Sequence, residues 1–543
     1  MRFLATCFLI AAVLGGCGGG SSHADVNPAP DGIAGDAADV GSAESVGSDL
    51  GAGDTATAEG IGADSTTDAS DAPFPLDPTQ RGQVELRGII HLHSALSHDG
   101  CAPDGYEDNG GPDPDCLAEL RAAPCASGID FMMMTDHPGH LKDHSYLEGI
   151  QHQEGDEVAK DKDGKPFANR ITCPEGSLVP HTWVYYGTEG SKNMPVGVSG
   201  PDVPPEIYSV SYGDSTPLEE VQAAVAKAHE LDGIALAVHT EESNISAERI
   251  AAVPLDGMEV YNLHANLMAA LENLDTLFKL DKFLAGAEGG PASDLSVMLF
   301  LDQVDKSVEK FDWVSARVRL ASVVASDIHR NVEIPALCPG GIEGSVCEGF
   351  AKDYPNFATF AMKGGAVTLA DGDRMDSWGR GLRWFSNRFR SASTDPWDIR
   401  EAVRAGRGYA CFEVFGYPGG FDFYVVNGGK LLEMGEEAKL DGEAVAWFRV
   451  PELSAAPWME AGSLPFNMGQ VTTKLVRATE EGSEVIAEIK GQGGIVSATL
   501  PGPGAYSLRI TVMPLHLKPL LPGLENLASK TFPYIYSNAV FLR

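Results

Sequence analysis

Short apolar runs alternate with helical segments from about residue 83 to about residue 410, and this alternation constrains the fold more than any other feature. The runs include VELRGIIHLH, IDFMMMTDH, GIALAVHT and RLASVVASDIH. They are largely apolar, as expected of strands covered on both faces. The clearest helical segment is STPLEEVQAAVAKAHELDG, with Ser215 or Thr216 as its cap and Pro217 in its first turn. The pattern predicts a parallel α/β arrangement, either open or closed into a barrel.

Histidine or carboxylate side chains follow five of these runs. In a parallel sheet the carboxyl ends of the strands lie on one face, where α/β proteins place their sites. We therefore expect these side chains to meet. They are His91 and His93 in the first run, Asp136 and His137 in the second, Glu189 after HTWVYYGT, His239 after GIALAV, and Asp327 and His329 in the last.

The stretch HLHSALSHDG, residues 91–100, is the densest of these ends. Side chains two apart in a strand point to the same face, so His91 and His93 are expected to project together. Taken alone, they could equally be two surface histidines. Asp99 is the expected third ligand, with His98 as the second choice. A mixture of imidazole and carboxylate suits zinc, manganese or iron and does not suit a calcium cage.

The ordered set of motifs resembles the polymerase-and-histidinol-phosphatase (PHP) superfamily over residues 83 to 415. The spacing from Glu189 to His239, the segment DGMEVYN and the ending YIYSNAVFLR are similar to its carbaryl-hydrolase-like branch. The motifs that carry the resemblance are His91-Leu92-His93-Ser94 with Ser97 and Asp99, Thr135-Asp136-His137, Glu189, His239, and Ser326-Asp327-Ile328-His329.

The resemblance implies a distorted (β/α)7 barrel holding two or three divalent ions of zinc, manganese or iron. Asp136 is expected to orient a ligand without binding an ion. Glu189, which can bridge two ions, His239 and Asp327 are predicted to act directly in catalysis. The expected ligand sets are His91, His93 and Asp327 for one ion, Glu189 and His239 for a second, and Asp99, His137 and His329 for a third.

The implied activity is that of a metal-dependent hydrolase, most simply a phosphoesterase that uses metal-activated hydroxide. The chain has neither a G-x-S-x-G motif nor a G-x-x-x-x-G-K-S/T motif, so a serine nucleophile and a P-loop are not expected. Two alternatives remain open at this point. The same cluster could hydrolyse carboxylic or carbamate esters, or the chain could be a metal-containing binding lipoprotein without activity.

The first 80 residues carry signals for export. Arg2, the apolar run at 3–14 and Leu14-Gly15-Gly16-Cys17 resemble a bacterial lipoprotein signal, which implies an envelope protein anchored through a lipid on Cys17. The other interpretation is an ordinary secretory signal over residues 1–17. Residues 18–80 are rich in Gly, Ala, Ser and Asp and are predicted to be a disordered linker. The net charge of −38 argues against binding to nucleic acid.

Residues 81–415 are assigned to the barrel and residues 416–543 to an antiparallel β-sandwich, because short strands with turn residues between them dominate the second segment. Cys338 and Cys347 are expected to pair across a turn-rich loop. Cys411 is expected to be a buried free thiol. Two further disulfides are expected, with the pairing left open, among Cys101, Cys116, Cys125 and Cys173.

Overall fold

The structure is a computed structural model. It describes residues 72–543 except for 102–111, 191–192, 205–206, 208–212, 272, 285–288, 302–304, 335, 337, 339, 342–347, 458 and 460–463. The predicted signal, the lipobox cysteine and the linker as far as residue 71 lie outside the described residues. No helix in the described part of the chain combines the length and the hydropathy needed to cross a bilayer.

Six parallel strands form the centre of the first half. The order of pairing is β5, β2, β1, β9, β8 and β7, and all six strands run in the same direction. The strands of this half are β1 (Val84–Leu92), β2 (Phe131–Met134), β3 (Glu157–Lys160), β4 (Pro166–Thr172), β5 (His181–Tyr185), β6 (Asn193–Val196), β7 (Ile234–Ala237), β8 (Gly257–Asn262) and β9 (Ala321–Ile328).

Antiparallel strands extend this sheet on several sides. β6 pairs with β7 and β4 pairs with β5, while an isolated bridge joins Gly187, just after β5, to Val196 in β6. The mixed α/β class is confirmed, whereas closure into a seven-stranded barrel stays a prediction. The remaining strands before residue 416 are β10 (Glu333–Ile334), β11 (Gly365–Ala366), β12 (Ser386–Ser391) and β13 (Gly408–Cys411), and β12 pairs antiparallel with β1.

The helices lie between these strands, as the alternation predicts. The predicted helix near 215–233 is present as Leu218–Glu230, but Pro217 itself occupies the cap position, so neither Ser215 nor Thr216 caps the helix. The α-helices are Pro114–Ser127, Pro138–Leu141, Tyr146–Gly149, Leu218–Glu230, Ala247–Ala252, Leu263–Leu271, Leu274–Leu280, Asp305–Ser315, Glu348–Ala351, Pro355–Lys363, Trp378–Trp384 and Pro396–Ala405.

The segment from residue 72 onward belongs to the fold, which moves the end of the linker to a point before the predicted residue 80. Leu76 is buried against Tyr424 and Trp447 of the C-terminal half. Arg81 pairs with Asp422 at 2.6 Å and with Glu433 at 2.8 Å. Within residues 72–80, Phe74 and Leu76 supply enough apolar surface to pack, so the predicted disorder does not extend to this stretch.

The C-terminal half is mainly antiparallel, as predicted, although Glu437–Ala438 pairs parallel with Val540–Leu542, and its pairing continues into the first half. One sheet has the order β16, β15, β18, β22, and a second joins β21, β20 and β23 to β24 and β25. The strands are β14 (Tyr417–Gly419), β15 (Asp422–Asn427), β16 (Lys430–Glu433), β17 (Glu437–Ala438), β18 (Ala444–Arg449), β19 (Glu452–Ser454), β20 (Gln470–Thr479), β21 (Gly482–Lys490), β22 (Ile495–Thr499), β23 (Gly504–Met513), β24 (Phe532–Ser537) and β25 (Val540–Leu542).

Hydrogen bonds run without a break from the first half into the second. β24 pairs with β13, β13 pairs with β12, and β12 pairs with β1. Beside this junction, Arg87 of β1 and Arg388 of β12 both donate to the buried Glu413, which follows β13. The second half is therefore linked through β13 and β12 to β1, which carries His91 and ends just before His93.

Four of the cysteines form two disulfides, Cys101–Cys116 and Cys125–Cys173, which resolves the pairing that the sequence leaves open. Cys411 is free and buried, as predicted. Cys338 is disulfide-bonded, while its predicted partner Cys347 lies outside the described residues. The two disulfides hold opposite ends of the helix Pro114–Ser127 to the rest of the first half.

Candidate metal centre

All eight predicted ligand side chains meet at the carboxyl ends of the parallel strands. Their ligand atoms form two groups, and within each group these atoms lie within 4.8 Å of one another. His93 falls in the second group, yet its Nε2 also faces the Glu189 and Asp327 oxygens that His91 faces, so the predicted set of His91, His93 and Asp327 stays a prediction. The groups are His91, Glu189, His239 and Asp327, and His93, Asp99, His137 and His329.

The backbone is irregular at the ends of the strands and orients three of the ligand side chains there. His91, His239 and Asp327 have φ angles of 65°, 50° and 51°, in the left-handed region that residues other than glycine rarely adopt. The register of β1 shifts between Ile90 and Leu92 against both neighbouring strands. His91 and His93 point into the same site, as predicted. A β-bulge at His91 brings them together, whereas the prediction relied on the regular alternation of side chains along a strand.

Distances around Glu189 Oε2 and Asp327 Oδ1 match ligands that share an ion. His91 Nε2 lies 3.3 Å from Glu189 Oε2 and 3.2 Å from Asp327 Oδ1. His93 Nε2 lies 3.4 Å and 3.3 Å from the same two oxygens. Two ligands bound at about 2.1 Å to one tetrahedral ion are roughly 3.4 Å apart. A direct ionic hydrogen bond is shorter, at about 2.8 Å.

Asp99 connects the second group. Its Oδ2 lies 3.4 Å from His137 Nε2 and 3.3 Å from His329 Nε2, and the rings of His93 and His329 stack at 3.8 Å. The second-choice ligand His98 has a side chain that is 47% exposed, and its Nδ1 is 4.0 Å from Asp99. The geometry therefore favours Asp99 over His98 as the ligand.

Each of the five histidines directs Nε2 into the cluster and has a hydrogen-bond partner at Nδ1, although Nδ1 of His137 and of His329 also lies 3.5 Å from Glu189 Oε2 and Asp327 Oδ1, respectively. A partner at the second ring nitrogen fixes the ring and the tautomer of a metal-binding histidine. The Nδ1 partners are Glu259 Oε1 for His91 (2.5 Å), Ser97 Oγ for His93 (3.3 Å), the Glu189 carbonyl for His137 (3.2 Å), Glu241 Oε1 for His239 (3.3 Å) and the Asp327 carbonyl for His329 (2.9 Å).

Several inward atoms are buried and have no hydrogen-bond partner. Buried polar atoms are almost always paired, so a convergent set of unpaired ones needs an explanation. Divalent ions supply it, since every atom in the set is a good ligand for zinc, manganese or iron. The residues therefore fit bound metal. The atoms are His91 Nε2, His93 Nε2, His329 Nε2, Glu189 Oε2 and Asp327 Oδ1.

The carboxylates of the cluster raise the pKa values of the histidines beside them. Burial would lower the pKa of His91, but Asp327, Glu259 and Glu189 outweigh burial and hold this pKa well above its usual value. Burial also opposes the shift at His137, yet Asp99 and Glu189 raise its pKa to about 9. Bound cations would take the place of these protons.

Glu259 is a functional residue that the sequence analysis missed. It is 1% exposed in β8, accepts from His91, and accepts from the backbone N–H of His239 at 2.9 Å. Asn262 donates to Asp327 Oδ2 at 3.2 Å. A glutamate in the middle of the buried strand GMEVYN was the available signal, because a buried carboxylate needs a partner.

Three further residues, Asp136, Arg330 and His264, lie beside the ligand groups. Asp136 accepts hydrogen bonds from the Ser94 N–H and, at 2.9 Å, from Ser94 Oγ. It therefore fixes the backbone next to His93 and is not a member of either ligand group. Arg330 pairs with Glu119 at 2.8 Å. The His264 ring lies 5.3 Å from His329, and burial lowers its pKa to about 4. None of the three belongs to either ligand group.

The segment at 374–390 contains the helix Trp378–Trp384, in which both tryptophans are buried. Arg380 of this helix is buried too, with a side chain that is 1% exposed. Arg380 is buried because Asp294 and Asp371 pair with its guanidinium, at 2.5 Å and 2.7 Å.

Comparisons with known proteins give little beyond the geometry. No family model matches the chain, and no curated protein matches it. A solved structure from Bacteroides vulgatus, described as a two-domain protein containing a predicted PHP-like metal-dependent phosphoesterase, is similar at 10% identity. The match covers 84% of this chain and 96% of that chain with a TM-score of 0.26, too low to transfer a fold or a function.

Proposed function

We propose that the chain is a metal-dependent hydrolase of phosphoesters, with two or three divalent transition-metal ions held by the two ligand groups. One observation carries the proposal: buried ligand atoms of His91, His93, His329, Glu189 and Asp327 converge without hydrogen-bond partners. The resemblance of the motifs to the PHP superfamily supports the choice of phosphoesters. A scaffold without activity has no need of eight such side chains.

Divalent ions bound in such a site supply Lewis acidity, which activates water and stabilises charge on a phosphoryl oxygen. The protein's own residues set the arrangement. Glu189 directs Oε1 to His239, at 2.8 Å, and Oε2 to His91 and His93. Asp327 likewise directs Oδ1 to His91 and Oδ2 toward His239. Each carboxylate thus offers both of its oxygens to the histidines and would help to hold the ions when they bind.

The hydroxyl groups at the cluster are already engaged with carboxylates. Ser94 Oγ donates to Asp136, and Ser97 Oγ donates to Asp99 at 2.7 Å. Ser97 Oγ also lies 3.3 Å from His93 Nδ1, but its hydroxyl proton is donated to Asp99, so neither serine offers a free hydroxyl to a histidine base as a serine nucleophile requires. This arrangement supports attack by water and agrees with the missing G-x-S-x-G motif.

We further propose that the protein acts outside the inner membrane, anchored by a lipid on Cys17 to the outer membrane of a bacterial envelope. The sequence of residues 1–17 and the acidic linker support this location. The two disulfides support it as well, because such bonds persist in oxidising compartments.

The function is tested on the purified full chain by metal analysis and by assays on chromogenic phosphomonoester, phosphodiester, carboxylic ester and carbamate substrates. We expect bound transition metal and phosphoester turnover, both lost in His91→Ala. His181→Ala is the matched control, since His181 begins β5 at the opposite end of the strands and should leave both properties intact. Turnover of carbon esters alone would instead support the ester or carbamate hydrolase. Stoichiometric metal with no turnover would support the binding lipoprotein.

A further inference from the structure

We propose that the Cys101–Cys116 disulfide positions Asp99, so that the ligand group of His93, Asp99, His137 and His329 is complete only when this bond has formed. The inference rests on the proposed function and adds a condition to it. Metal loading at one of the two groups would depend on the redox state of the chain.

Asp99 is the least anchored of the carboxylate ligands. Glu189 and Asp327 are 4% and 2% exposed, whereas the Asp99 side chain is 33% exposed. It reaches the group from the loop after β1. Two hydrogen bonds hold it there, from Ser97 Oγ to Oδ1 at 2.7 Å and from Asn331 Nδ2 to its carbonyl at 2.9 Å.

Cys101 ends this loop and ties it to a second ligand. Its backbone N–H donates to the carbonyl of His329 at 2.8 Å. Its φ angle is 65°, a left-handed conformation that an L-residue keeps only when its surroundings impose it. The bond to Cys116, in the first turn of the helix Pro114–Ser127, is the covalent part of those surroundings. Both cysteines are 2% exposed.

The second disulfide provides a matched comparison within the same helix. Cys125 lies near the end of Pro114–Ser127 and bonds to Cys173, which follows β4. The N–H of Cys173 donates to the carbonyl of Pro180, just before β5 begins. This bond therefore lies at the end of β5 away from the ligands, and it should affect stability without affecting the ligand groups.

The test measures ions per chain and chelator-competition affinity on the full chain, for Cys101→Ser/Cys116→Ser, Cys125→Ser/Cys173→Ser and Asp99→Asn. We expect the first double variant and Asp99→Asn each to lose one ion, and their combination to lose no more. The second double variant should keep the wild-type number even if its Tm is lower. If the first double variant keeps the wild-type number of ions while Asp99→Asn loses one, this inference is wrong and the proposed function still stands. If Asp99→Asn loses no ion, the assignment of Asp99 to a metal-binding group is wrong.

If the first double variant does not fold, the folded wild-type chain is reduced with a phosphine while ion release and cysteine alkylation are followed together. We expect one ion to leave as Cys101 and Cys116 become alkylated. Alkylation of these two residues without release of an ion overturns the inference.

Discussion

Glu259 Oε1 accepts a hydrogen bond from His91 Nδ1 at 2.5 Å, while its Oε2 accepts from the backbone N–H of His239 at 2.9 Å. One buried carboxylate thus orients two ligands of the first group, on two different strands. It also places a negative charge behind the His91 ring, which raises the basicity of the inward nitrogen.

Glu259→Gln should weaken metal binding at the first group by about 10- to 100-fold, because the amide keeps the shape of the side chain and loses its charge. Chelator competition on the full chain measures this affinity. Glu443→Gln is the control, as Glu443 is exposed just before β18 and belongs to none of the candidate ligand groups. An affinity equal to that of the wild type would show that Glu259 only fills space.

Removing the ions should lower the melting temperature. Ligands that bind only the folded state stabilise it in proportion to the logarithm of their concentration over Kd. Treatment with a chelator is expected to lower Tm by several degrees, and zinc or manganese should restore it. His91→Ala should show a smaller response to both treatments. A chelator-independent Tm in the wild-type chain would contradict strong metal binding.

Glu413→Ala should strongly destabilise the packing of β1 against β12. Glu413 is buried and accepts from Arg87 and Arg388, so its removal takes this carboxylate from Arg87 and leaves Arg388 with Glu85. Breaking such a network is expected to lower the free energy of unfolding by about 3–5 kcal/mol. Urea unfolding measures the change. Glu437→Ala, which breaks the exposed pair with Arg543, should lower it by less than about 1 kcal/mol.

Stability should fall as the pH drops from about 6.5 toward 4, in part through His516. Burial lowers the pKa of His516 to about 4, against a backbone bond to Phe415 that raises it. The unfolded chain then binds more protons than the folded chain within this window, so acid favours unfolding. The contribution between pH 7.5 and pH 5 is about 2 kcal/mol.

Urea unfolding at the two pH values measures this loss in the wild type and in His516→Gln. The variant should be less stable at pH 7.5, and its stability should depend less on pH by that amount. Identical pH dependence in both chains would contradict the shifted pKa of His516.

The ligand residues could be predicted because metal chemistry limits them to a few residue types at strand ends. His239 and Asp327 are far apart in the sequence, and the parallel order of β7 and β9 in one sheet brings them together. Glu259 was missed because a glutamate inside an apolar run has no motif of its own. Its role appears only when β8 is seen to pair with β9 and to pass behind His91.

The parts that the sequence did not predict depend on contacts between distant segments. The pairing of β13 with β24 makes the second half continuous with the first, and no local pattern near residue 416 reveals it. The bulge at His91 is similar, since a run such as GIIHLH predicts regular alternation. The choice of Cys116 as the partner of Cys101 also follows from three-dimensional proximity.

The most direct test of the central claim is an anomalous-scattering measurement on crystals of the full chain, at the absorption edges of zinc, manganese and iron. We expect anomalous peaks within coordination distance of His91 Nε2 and of His329 Nε2, one in each ligand group. Two results would contradict the account. In the first, the electron density shows these side chains far apart. In the second, the side chains converge but no anomalous peak appears after metal is added.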